Sequence, residues 1–321
     1  MKKTYILFSL LSPLLLQAQE KKFENSLSNY TGRYLGQKPP GEIPQKFAPG
    51  FISKEDENEI GLVFSNDGKQ LVYIWALKDW QQFGIRYAKR IGNNWTNPEL
   101  LLYNGHANVP FNPTFDNEGK NIILTQIAGA WPDTDLFTLG LTSTGYAQHP
   151  QRMNTPVNSP GTDFGYFMDQ DGTIYFTGKR EDFAGGIFDV YSCKKEKGKY
   201  ITRNIKILNS ELDDSAPVVS PDGSYLVYEQ MVNDRGLPYN DSTARIIRIE
   251  LFVSFKDKNG NWSTPVNLGA PVNSNIYRTY RPVISPDGKY LFYTRESERG
   301  SDIWWISTNV IERKSNVRRE K

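Results

Sequence analysis

The chain is poor in the residues from which cross-links, metal centres and hydrolase sites are usually assembled. Of its 321 residues only Cys193 is a cysteine, which excludes an intramolecular disulfide and a multi-thiolate metal site. Only His106 and His149 are histidines, and they do not stand at a metal-binding spacing. No Gly-x-Ser-x-Gly sequence is present, so the strained turn that exposes a hydrolase serine is missing. The length leaves no room for an α/β-hydrolase domain beside the fold inferred below. The fragment Asp169-x-Asp171-Gly172 lacks the further ligands and the position-12 Glu of a calcium loop. No cofactor and no metal are expected from this inventory.

Long apolar runs are also scarce. Met1-Lys2-Lys3 and the apolar stretch from Tyr5 to Leu16 read as a secretory signal over residues 1–18, with cleavage near Ala18. The stretch is short for a membrane span, no cysteine follows it for lipid attachment, and no span is expected in the mature chain. A soluble periplasmic or secreted protein is the expectation. Loss of Lys2 and Lys3 leaves 38 − 2 = 36 basic against 36 acidic residues. That balance lacks the basic face on which nucleic-acid binding depends.

What the chain does have is one phrase repeated five times. It reads Ser65-Asn66-Asp67-Gly68, Asn117-Glu118-Gly119, Asp169-Gln170-Asp171-Gly172, Ser220-Pro221-Asp222-Gly223 and Ser285-Pro286-Asp287-Gly288. Pro presets the second turn position, Asp tolerates the third, and Gly takes the left-handed conformation that starts the return strand. Apolar runs follow each copy: Leu71-Val72-Tyr73, Ile122-Ile123-Leu124, Ile174-Tyr175-Phe176, Leu226-Val227-Tyr228 and Leu291-Phe292-Tyr293. The glycines stand 51, 53, 51 and 65 residues apart, room for four short strands each. A third-strand signature recurs as Asp135-Leu136-Phe137, Asp189-Val190-Tyr191, Glu250-Leu251-Phe252 and Asp302-Ile303-Trp304. The expected fold is all-β, a single β-propeller of five four-stranded blades.

The last blade ends at Trp304-Trp305-Ile306 without a fourth strand. Pro44, Phe47, Phe51 and Ser53 repeat the offsets of the inter-blade links Pro150 to Ser159 and Pro265 to Ser274, with no blade before them. The N-terminal segment is therefore expected to complete the last blade and close the ring, which removes a free sheet edge. The division is a signal at 1–18, a polar lead-in at 19–40, the propeller at 41–308 and a basic tail at 309–321.

The Ser-Pro-Asp-Gly turn, the Asp-Ile-Trp-like third strand and the link Trp262-Ser263-Thr264-Pro265 resemble the WD-like repeats of TolB-type β-propellers, over about residues 40–308. The resemblance implies the fold and little about activity, since such propellers serve as binding platforms and as parts of hydrolases and lyases. TolB itself carries an additional N-terminal domain for which the chain has no room, so TolB's partner is not carried over.

Strand order places the Asp-Gly turns on one face, Y. The loops between second and third strands and the inter-blade links lie on the opposite face, X. Nine residues before each turn glycine stand Glu59, Pro110, Asp163, Asp214 and Thr279, so three acids are expected around the channel mouth, with Arg278 and Arg281 nearby. The loops on X add Trp80, Trp131, Arg180, Phe183 and Arg295, with His106 in a link. An insertion bearing Asp234, Arg235, Tyr239 and Asp241 is placed to overhang the channel. The structural alternative is that the repeated acid caps backbone amides of the neighbouring blade. The first reading of function is a non-enzymatic envelope module that binds a peptide, partner protein or glycan on face X. The alternative is a carbohydrate-active enzyme on the same face, either a glycoside hydrolase using two convergent carboxylates or, as the resemblance implies, a polysaccharide lyase using His106 with Arg278 or Arg281.

Overall fold

The computed structural model describes residues 21–22, 27–102, 111–127, 133–143, 145–147, 149–153, 157–182, 188–233 and 246–319. Trp131, His106, Pro110, Phe183, the signal segment and the insertion residues from Asp234 to Asp241 lie outside the described residues.

Five antiparallel sheets form a five-bladed propeller. Their inner strands are Glu57–Phe64, Phe111–Phe115, Asp163–Met168, Asp214–Val219 and Thr279–Ile284. The second strands are Gln70–Leu77, Asn121–Ile127, Ile174–Gly178, Tyr225–Asn233 and Tyr290–Ser297. Each first hairpin closes on the repeated turn. In three blades the serine hydroxyl donates to the aspartate two residues on, at 2.7 Å from Ser65 to Asp67, 2.6 Å from Ser220 to Asp222 and 2.7 Å from Ser285 to Asp287. The turn glycines all have positive φ, a conformation that a Cβ disfavours.

Both faces of a second strand are buried, so its apolar run does not alternate with polar residues. Its side chains instead go alternately to two neighbours, as the two-residue period of a strand requires. Leu71 and Tyr73 pack in the seam with blade five, Val72 in the seam with blade two. Ile122 and Leu124 face blade one, Ile123 faces blade three. The same division holds for Ile174-Tyr175-Phe176, Leu226-Val227-Tyr228 and Leu291-Phe292-Tyr293. Five apolar seams result, one per pair of blades. Cys193 is fully buried in the seam between blades two and three.

The N-terminal segment closes the ring as expected. Gln45–Lys46 pairs with the third strand of blade five, Gly300–Ser307, with Lys46 opposite Trp304 and Gln45 opposite Trp305. Phe47 then enters the seam between blades five and one, edge-on to Phe292 at 5.1 Å and Trp305 at 5.2 Å. Residues of the lead-in also pack on the propeller. Leu27–Thr31 adds a strand beside Asn94–Thr96 of blade one. Tyr34 is buried and donates its hydroxyl to the turn residue Asp287 at 2.8 Å. At the other end, helix Asn309–Arg319 sets Ile311 into the seam of blades four and five.

Candidate functional site

The acids nine residues before the turn glycines do not ring the channel. Glu59, Asp163 and Asp214 are each 0% exposed and turn back onto the link that precedes their own blade. Asp214 accepts the Ser210 amide at 2.6 Å and its hydroxyl at 2.9 Å. Asp163 accepts the same pair from Ser159, at 2.7 and 2.9 Å, and an ion pair from Arg180 at 2.5 Å. Among the described residues Glu59 meets only the Lys54 amide, at 3.4 Å. Burial pushes the Asp214 and Glu59 carboxyls up to about 8, and the charge of Lys78 offsets only part of this at Glu59. It pushes Asp163 up to about 6 against the pull of Arg180. These acids satisfy the backbone of the link before their own blade, four residues upstream at Ser159 and Ser210 and five at Lys54, where capping of the neighbouring blade was the expected structural role.

Arg180 also belongs to the frame. Its guanidinium donates to the Val157 carbonyl at 2.9 Å and lies over Phe176 and Tyr191. Arg295 repeats this in blade five, bonded to the Val272 carbonyl and lying over Tyr293 and Trp304. On face X, Arg278 pairs with Glu296 at 3.7 Å and Trp80 is 48% exposed. Trp80 has φ 59°, a conformation rare for a bulky residue. Of the residues selected from sequence, Arg281 alone among those described lines the central cavity.

That cavity, about 260 Å³, lies in the channel and is walled by the inner strands of all five blades. By volume it holds about nine waters. Its lining begins at one repeated position, seven residues before each turn glycine, and runs to the turns at Asn66, Asn117, Gln170, Pro221 and Pro286. It therefore faces Y, not X, where the sequence suggested a site. No inner-strand residue before that repeated position contributes to the wall.

The repeated position is a bulge. Gly61, Asn112, Gly165, Ala216 and Arg281 have φ of 63, 51, 66, 49 and 53°, and strand pairing slips at each. A bulge re-aims the strand and the side chain it carries. Three bulge amides are anchored across a seam by the preceding blade's second strand. Gly61 donates to the Thr294 hydroxyl at 3.0 Å, Ala216 to the Thr177 hydroxyl at 3.0 Å, and Arg281 to the Glu229 carboxylate at 2.8 Å. Glu229 holds the place of those threonines and also accepts the Ser215 hydroxyl at 2.6 Å. Blade one offers the apolar Ile74 at that place.

The five bulges line the channel with two hydrogens, a methyl, a carboxamide and a guanidinium. The two polar groups stand on either side of Gly61. The Arg281 stem runs over that glycine, with its Cβ 3.5 Å and Cγ 3.6 Å from where a Cβ of residue 61 would sit. Both amide atoms of Asn112 are buried without a hydrogen-bond partner. The Arg281 guanidinium makes no hydrogen bond and no ion pair among the described residues. Val63, Phe167, Val218 and Val283 form the apolar wall between this floor and the turns. Asp169 is the carboxylate in the wall, and it is engaged by the amides of Asp171 and Thr173. Asn112 and Glu229 were not singled out from sequence. The signal for both is positional, a polar residue where the other blades carry Gly, Ala or Thr.

No protein-family model matches the chain, and no curated protein matches it. Solved structures do. A candidate TolB from Agrobacterium tumefaciens is 16% identical, over 79% of this chain and 78% of that one, with a TM-score of 0.45. A thermostable family-43 glycoside hydrolase is 13% identical, over 81% and 90%, with a TM-score of 0.49. A B. subtilis levansucrase mutant is 8% identical, over 77% and 82%, with a TM-score of 0.48. The chain is similar to these in its propeller architecture, and likenesses of this depth carry no argument about activity.

Proposed function

We propose that the protein is an exported, non-enzymatic binding module whose ligand enters the central cavity from the face of the Asp-Gly turns. The observation that supports this most is the division of polar groups. The acids that the sequence offered as a general acid and base are tied to link backbone outside the cavity wall, and Asp169, the carboxylate in the wall, is held by the amides of its own turn. The unengaged groups, Arg281 and Asn112, are hydrogen-bond partners that bind and do not transfer protons at neutral pH. Pockets of this kind, apolar with a few convergent polar groups, are the usual form of a binding site. Export to the periplasm or the outside of the cell is part of this proposal, and the signal-like sequence from Met1 to Ala18 is what supports it.

The reading is tested by thermal unfolding with glycan fragments, cell-wall peptides and small organic acids. Val218→Trp, which fills the cavity, is expected to abolish any ligand-induced rise in Tm, whereas Trp80→Ala on the opposite face leaves it intact. The reverse pattern would move the site to face X.

A further inference from the structure

The Arg281 guanidinium is open to a ligand, and the Asn112 amide beside it is buried with no hydrogen-bond partner among the described residues. A buried carboxamide without partners is rare in folded proteins, and the usual explanation is a water, ion or ligand that completes it. Here the orphan, Asn112, sits at the same bulge position as the cation Arg281, with only the glycine bulge of blade one between them. An arginine fork is matched to carboxylate geometry, two parallel N–H groups against two oxygens. Asn112 adds a further donor through its NH₂ and an acceptor through its carbonyl. The opposite bulges, Gly165 and Ala216, are small and apolar, so the floor is polar on one arc only. Above it the wall includes Val63, Phe167, Val218 and Val283, with Thr114 at the equivalent place in blade two.

We infer that the cavity binds a small organic carboxylate with an apolar body. Its carboxylate lies against Arg281 and the Asn112 NH₂, and its body lies along Val63, Phe167, Val218 and Val283. This rests on the reading of the cavity as the binding site and gives it a ligand class. The volume of about 260 Å³ admits a free medium-chain or aromatic acid, or the last residue of a peptide with its C-terminal carboxylate. Glu229 supports the site from behind. It holds the Arg281 amide, so the bulge that aims the guanidinium is fixed from blade four. The guanidinium itself has no role in the frame, so its removal leaves the fold unchanged.

The test is calorimetric titration of the full chain with sodium octanoate and phenylacetate, each beside its neutral counterpart, octanol and phenylacetamide. N-acetyl-leucine and its amide supply the peptide arm, and inorganic phosphate supplies charge without an apolar body. Octanoate or phenylacetate binding in preference to N-acetyl-leucine identifies a free acid, and the opposite order a peptide terminus. The expected result is binding of the carboxylates, with neutral counterparts and phosphate at least tenfold weaker. Arg281→Ala is expected to lower carboxylate affinity about tenfold to a hundredfold, the loss of a charge-assisted pair. Arg281→Lys should recover part of it, and Asn112→Ala should cost less than Arg281→Ala. Unliganded Tm values of the variants, equal to that of the wild type, separate loss of the site from loss of the fold. Carboxylate affinity unchanged by Arg281→Ala overturns the inference. Neutral glycan or peptide fragments that bind, and are lost in Val218→Trp, while no carboxylate binds, overturn it and leave the cavity reading standing. No binding by any probe overturns both.

Discussion

At the scale of single residues, the third turn shows how one substitution in a repeat changes chemistry. Where three blades pair a serine hydroxyl with an aspartate, blade three has Asp169 facing Asp171. Burial first, and the neighbouring Asp171 second, push the Asp169 carboxyl up to about 6. The bond from Asp169 is the main cause that holds Asp171 below the usual carboxylate range. A protonated Asp169 thus does what the serine hydroxyl does in the other turns. The folded state binds this proton more tightly than the unfolded chain, so the contribution is complete below the ordinary carboxyl pKa and is lost as pH rises to about 6. Asp169→Ser is expected to be more stable than the wild type at pH 7.5 by about 1 kcal/mol, allowing for solvent screening. The advantage should vanish at pH 4. Urea denaturation at the two pH values measures it, and equal midpoints at pH 7.5 would contradict it.

At the scale of elements, the turns and the apolar triplets after them were legible in the sequence because their causes are local. A turn needs its own Pro, Asp and Gly, and a doubly buried strand needs its own apolar run. The inner-strand bulge was not legible. Gly61, Asn112, Gly165, Ala216 and Arg281 share no chemistry, only a distance from the turn glycine. The misplaced acids have a related cause. Position along a strand does not say whether a side chain at its start points into the channel or back to its own link. The serines four residues before Asp163 and Asp214 were the available sign, since each donates to its acid. The bulge carries a prediction of its own. Gly165 has φ 66°, and an added Cβ would meet the Thr177 hydroxyl at 3.2 Å. Gly165→Ala should therefore cost about 1–2 kcal/mol, the left-handed penalty of a residue with a Cβ, read as a lowered denaturation midpoint. An unchanged midpoint would mean that the bulge is not held in the left-handed region.

At the scale of the whole molecule, the N-terminal segment is the clasp of the ring. The chain's first strands touch blades two and one through Lys21–Lys22 and Leu27–Thr31, and its link completes blade five. Closure was legible because the offsets of Pro44, Phe47, Phe51 and Ser53 match two other links. Phe47 is 0% exposed between blades one and five. Phe47→Ala is expected to lower stability by about 3–5 kcal/mol, the cost of an aromatic removed from a packed core, and unfolding followed by tryptophan fluorescence measures it. A cost near zero would show that the clasp is not part of the cooperative unit.

The same closure fixes the channel that Arg281 and Asn112 both line, and it is there that the account is most directly tested. A crystal structure of the protein grown with octanoate is expected to show the carboxylate at the bulge level, against the Arg281 guanidinium and the Asn112 amide, with the chain running toward the Asp-Gly turns. Ligand density at Trp80 on the opposite face, or a carboxylate turned away from Arg281, would contradict it.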